Sequence, residues 1–200
     1  DRWARHPDLH VYHFAPYEPS ALKRLMGRYA TRENEVDRML RAGLFVDLHA
    51  IVRQSLRARV EEYSIKKLEA LTGYARAIDL KIAGEKLRIV QRALELQELE
   101  RVDSMVREAV ESYNRDDCLS TLQLYQWLER LRAEQEAEGR EIPRPPIEDG
   151  MPSEKIAERG REVDEIMQAL LKDVPADRLQ RSGEQQARWL LAYLLEWHRR

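Results

Sequence analysis

Tyr113-Asn114-Arg115-Asp116-Asp117-Cys118-Leu119-Ser120-Thr121 lies inside a long run, Glu85 to about Glu138, whose apolar residues recur at helical spacing. Ile89, Val90, Ala93, Leu94 and Leu96 form one stripe; Val102, Met105, Val106, Ala109, Val110 and Tyr113 form another. The phase drifts near Glu100 to Ser104, which predicts at least two helices, and a last helix is expected to carry Leu119, Leu122, Leu124, Tyr125, Leu128 and Leu131. Four residues apart on a helix, Tyr113 and Asp117 share a face. A phenol beside a carboxylate can orient a metal-bound water. The same spacing also suits a solvated acidic turn with Tyr113 in the core.

Working back toward the N-terminus, helices give way to two short strands. Leu44-Phe45-Val46-Asp47-Leu48 reads as one, followed by a helix around Ala50 to Arg57. Asp47 is an acid inside an apolar run. Burying it alone is costly, so it needs a partner or a metal, or it caps the following helix. Leu9-His10-Val11-Tyr12-His13-Phe14-Ala15, between Pro7 and Pro16, reads as the other strand. His10 and His13 would face opposite sides of it and are poor joint ligands. Pro19 suits the first position of a helix, and Glu18, preceding it, is expected to stay extended at the carboxyl end of the strand. There Glu18 either serves a site, as open α/β sheets place them, or meets the helix dipole. Thr31 is the expected cap of a helix ended by Gly43. Ser64 is the expected cap of one ended by Gly73. Gly84 is read as a break.

Composition sets bounds. The 200 residues suffice for one domain or a domain with an appendage, and 8 Gly and 8 Pro among many Leu, Arg, Glu and Ala point to a mostly helical chain. A formal net charge of -2 gives no global basic signature, although a basic groove can be local. Lys66 and Lys67, with Arg53, Arg57 and Arg59 upstream, either touch phosphates or form a solvated face. The single Cys118 excludes an intrachain disulfide framework and a CxxC zinc site, which fits a cytoplasmic setting. No apolar run of membrane-spanning length and no secretory leader is seen, so a soluble chain without a membrane partner is expected. Gly139 to Pro152, which holds Pro143, Pro145, Pro146, Gly150 and Pro152, reads as a linker or strap. Two helical segments follow, about 153–172 and 183–199, the second with Trp189, Leu190, Tyr193, Leu194 and Trp197 as an apolar stripe.

Taken in order, these stretches resemble the DEDD exonucleases of RNase H-like fold. His13-Phe14-Ala15-Pro16-Tyr17-Glu18 resembles their second motif, with His13 for the usual Asn and Glu18 for the usual Asp. Leu44 to His49 resembles the next strand with its Asp. Tyr63-Ser64-Ile65-Lys66-Lys67-Leu68-Glu69 is similar to the Ser-Leu-Lys helix start. Tyr113 to Thr121 resembles the third motif of the Tyr-containing subgroup. The nearest likeness is to the RNase H-like domain of bacterial RecB-like putative nucleases that continue into a superfamily 1 helicase, over about residues 8–132.

That resemblance implies a 3′–5′ exonuclease-like enzyme hydrolysing phosphodiesters with two Mg²⁺ or Mn²⁺ ions. Glu18 and Asp117 would be metal ligands, with Asp47 in support, and Tyr113 would orient the attacking water. The implied partners are nucleic acid, DNA before RNA, and a helicase domain of the same polypeptide. The family's first motif, an Asp and a Glu on an early strand, has no match, and two carboxylates are poor holders of two ions. The expected fold is therefore mostly α with a small β-sheet, an incomplete RNase H-like α/β fold lacking its first strands, plus a C-terminal helical extension. The expected division is a partial nuclease domain over 1–138, a linker over 139–152 and a helical connector over 153–200. Weak or no nuclease activity is expected of these residues alone. The alternative is a non-catalytic helical module that binds nucleic acid or docks a helicase.

Overall fold

The two apolar runs become strands, and everything regular around them is helix. The structure is a computed structural model in which residues 2–195 are described, so Trp197 lies outside the described residues. In chain order come α1 (Arg2–Arg5), β1 (Val11–His13), α2 (Tyr17–Tyr29), α3 (Glu33–Arg41), β2 (Phe45–Asp47), α4 (Leu48–Ser55), α5 (Ile65–Thr72), α6 (Leu80–Glu95), α7 (Ser104–Ala137), α8 (Glu154–Leu171) and α9 (Gly183–Leu194). Strands β1 and β2 pair in parallel, with Val11 opposite Phe45, Tyr12 opposite Val46 and His13 opposite Asp47. The chain is mostly α with a small β-sheet.

The described chain forms two compact units. One comprises the chain up to Ala21 together with Leu44–Pro146; the other comprises Leu22–Gly43 with the chain from Ile147 onward. Residues 22–43 fall in the same unit as the C-terminal helices.

In the first unit, three-residue strands cannot stabilise themselves and depend on the helices packed over them. Leu48 and Val52 of α4, Leu68 of α5 and Leu124 of α7 are almost fully buried together, and Tyr12, Phe14, Val46, Tyr63, Tyr125 and Leu128 close around them. Helix α7 has no Gly or Pro in its 34 residues and is about 50 Å long at 1.5 Å per residue. Asp103 caps it by accepting from the Met105 N–H at 2.8 Å. The helix expected to start near Leu119 is not separate; it is the second half of α7, because nothing interrupts the backbone ladder there.

Four further local expectations are corrected. Glu18 is helical, in the first turn of α2, not extended. Pro19 falls at the third helical position, where its missing N–H is among the donors that lack an intrahelical partner anyway. Helix α3 is preceded by Arg32 in the left-handed region, φ 56°, with no side-chain cap, so Thr31 is not its cap. Gly84 does not break α6: Asp79 caps the helix on the Lys81 and Ile82 N–H groups, and packing on α7 offsets glycine's cost of about 1 kcal/mol. By contrast, Gly73 ends α5 in the left-handed region as expected, at φ 76°.

In the second unit, α8 and α9 pack together. Arg188 of α9 donates to the carbonyls of Leu170 and Lys172 at 3.0 and 2.8 Å, satisfying groups at the C-terminal end of α8. Ser182 and Gln185 form a reciprocal capping box at the start of α9. Trp189 packs against Tyr193 with ring centroids 4.5 Å apart and planes tilted by 41°, and lies under the Arg181 guanidinium. The carbonyls of Asp149 and Gly150 accept from Arg38 and Arg41 of α3.

Candidate functional site

The residues singled out from sequence fall into two polar groups within the first unit. The first lies where α5, the 73–79 segment and α7 meet. Helix periodicity puts Leu68, Glu69 and Thr72 of α5 inward, so a carboxylate is buried there. Glu69 accepts from the Ser120 hydroxyl of α7 at 2.8 Å and takes the Arg76 fork at 2.9 and 2.7 Å. The same guanidinium reaches Asp117 Oδ1 at 2.7 Å. The Arg76 side chain is only 8% exposed, and its Nη1 is buried without a hydrogen-bond partner. Burial alone pulls its pKa down, but Glu69 and Asp117 outweigh that and hold it above its ordinary value, so the group stays charged.

Tyr113 and Asp117 do share a face at this corner. The Lys66 ammonium donates to the Tyr113 hydroxyl at 3.1 Å, and Lys66 Nζ and Arg76 Cζ lie 5.3 and 5.7 Å from the ring centroid. The neighbouring Asp116 is the buried one. It accepts from the Tyr74 hydroxyl at 2.8 Å and from the Ala77 and Ile78 N–H groups at 3.0 and 3.3 Å. Burial pushes its carboxyl up; the Tyr74, Ala77 and Ile78 bonds, with the Arg76 charge, more than reverse this and leave it below the usual value. Burial and the bond to Asp116 push the Tyr74 hydroxyl up to about 12.

The second group lies at the carboxyl ends of the strands. Ala15 turns the chain out of β1 at φ 64°, a strained setting for a residue with a Cβ. Two bonds hold it: Ala15 N–H donates to Asp47 Oδ1 at 2.9 Å, and its carbonyl accepts from His13 Nδ1 at 2.6 Å. Asp47 Oδ1 also caps α4 by accepting from the His49 N–H at 2.9 Å, so the acid in the apolar run has partners. Glu18 Oε2 lies 3.9 Å from His13 Nδ1, with its side chain 54% exposed. Parallel register sets His13 beside Asp47, and the turn at Ala15 leads into α2, which places Glu18 near His13.

These donors do not fit a two-ion centre. Asp117 is engaged by a guanidinium, Asp116 and Glu69 are fully occupied within the protein, and Asp47 is used by two backbone N–H groups. Among the described residues no three His, Cys, Asp or Glu side chains come together as a metal-binding group. Sequence reading missed Arg76, Glu69, Asp116 and Tyr74. Glu69 carried a signal, a charge at a position that helical spacing turns inward beside Leu68. Arg76 carried none, since it sits in an irregular stretch whose path is set by what it meets.

A protein-family model described as RNase H superfamily matches residues 1–129. The match takes in well over half of the chain, both strands and both polar groups, and the chain belongs to the RNase H superfamily. Membership supports a nuclease-like activity. No curated protein matches, and no solved structure matches. No described helix is long and apolar enough to cross a membrane.

Proposed function

We propose that this chain supplies part of the active site of a nuclease that hydrolyses nucleic-acid phosphodiesters, of the Tyr-containing DEDD exonuclease kind. The observation that carries this is the Tyr113 and Asp117 corner inside the family-matched region: a half-buried phenol held by Lys66, one helical turn from a half-exposed carboxylate. Tyr113 would orient the attacking water through its hydroxyl. Lys66 would keep that hydroxyl in place and draw a backbone phosphate toward it. Glu18, exposed at the strand ends beside His13, would contribute from the second group. Mg²⁺ or Mn²⁺ ions supply water activation and leaving-group stabilisation in enzymes of this kind, and the donors assembled here do not fit two of them. A DNA strand is the favoured substrate, and a helicase domain in the same polypeptide the favoured partner.

The test uses end-labelled DNA and RNA strands with Mn²⁺ or Mg²⁺ present, following both binding and cleavage. The chain is expected to bind single strands, several-fold more weakly with Lys66→Ala, and to cleave slowly, with Tyr113→Phe removing what cleavage there is. Cleavage indifferent to that substitution, or neither binding nor cleavage, overturns the proposal. Binding with no cleavage under any ion favours instead a non-catalytic module that holds nucleic acid or docks a helicase.

A further inference from the structure

We propose that Arg76 is a resident cation that holds Asp117 out of divalent-ion coordination in this chain. The inference rests on the reading that Asp117 belongs to the nuclease corner. The geometry is that of a fixed group, not a passing surface pair. Three bonds from the Arg76 fork lock it onto Glu69, Glu69 is anchored in turn by Ser120, and the guanidinium side chain is 8% exposed. Its position is therefore set by Glu69 of α5 and Ser120 of α7, independently of Asp117. Asp117 then meets it from the outer side, 39% exposed, through Oδ1 at 2.7 Å.

An ion approaching Asp117 has to displace or share that charge-assisted bond and settle beside a positive charge that water screens poorly. The Lys66 ammonium adds a second cation at the same Tyr113 ring. A guanidinium does not lose its proton in any accessible pH range, so no change of pH opens the position. Glu69 alone could have satisfied the Arg76 charge. The second carboxylate is the one at the motif position, and that coincidence turns a structural ion pair into an obstacle at the site.

The test reads Mn²⁺ binding to the 200-residue chain by calorimetry, without nucleic acid. The variant is Arg76→Gln with Glu69→Gln, which removes the cation without stranding a buried carboxylate. It is expected to bind Mn²⁺ about tenfold more tightly than wild type, as loss of a poorly screened charge implies, and the gain is expected to vanish when Asp117→Asn is added. A folded double variant with unchanged affinity, or a gain that survives Asp117→Asn, overturns the proposal. The wild-type chain gives an independent readout that needs no variant: low Mn²⁺ should leave the Asp117 amide resonance sharp, and selective broadening there overturns the proposal. Tighter ion binding in the variant of a chain that never touches nucleic acid would sustain this inference while sinking the nuclease reading. Cleavage by wild type with Mn²⁺ bound at Asp117 would do the reverse.

Discussion

Asp116 is a carboxylate spent on architecture. With its residue 3% exposed and three donors converging on it, it ties the 74–78 segment to α7 and so carries Arg76 to its place beside Asp117. Asp116→Ala strands a phenol and two backbone N–H groups and is expected to cost about 3 kcal/mol, measured by urea unfolding. The sign of its pH dependence follows from its depressed pKa. Its contribution is present above the ordinary carboxyl value of 3.8 and is lost as pH falls below that toward the folded value. Wild type should therefore lose stability on acidification more steeply than Asp116→Asn. Sequence spacing pairs Tyr113 with Asp116 at three residues as readily as with Asp117 at four. Which of the two acids turns inward depends on Tyr74, Ala77 and Ile78, and no helical period announces those.

At the scale of elements, two glycines give opposite predictions. Gly150 has φ +67°, and a Cβ there would overlap the Arg38 carbonyl oxygen and lie 3.0 Å from Ala42 Cβ. Gly150→Ala is expected to lower stability by about 2 kcal/mol. Gly84 sits inside α6 with nothing within 4 Å of its Cβ position, so Gly84→Ala should raise stability by up to about 1 kcal/mol. Thermal melting of the pair checks both signs. Elements whose bounds follow from their own residues were legible: β1 and β2 from apolar runs, α5 from its spacing and Gly73. Helix ends set by neighbours were not, as the left-handed Arg32 before α3 and the uninterrupted α6 illustrate.

The first unit holds a two-stranded sheet that would be marginal alone. Its persistence is a property of the Leu48, Val52, Leu68 and Leu124 cluster, to which α4, α5 and α7 contribute from distant parts of the chain. Leu124→Ala is expected to cost about 3 kcal/mol, and hydrogen exchange should quicken together in β1, β2, α4, α5 and α7, since one cavity opens under all of them. Exchange quickened only in α7 would show that the sheet does not depend on this cluster. What the sequence by itself determined was whatever repeats at short range: the helical stripes, the two apolar strands, the mostly α class, and the shared face of Tyr113 and Asp117. Only the tertiary structure decided that Asp116 is buried, that Arg76 takes Asp117 from 41 residues away, and that residues 22–43 group with the C-terminal helices. Period and capping are written in neighbouring residues, whereas a charge chooses its partner among all the groups that folding brings within reach.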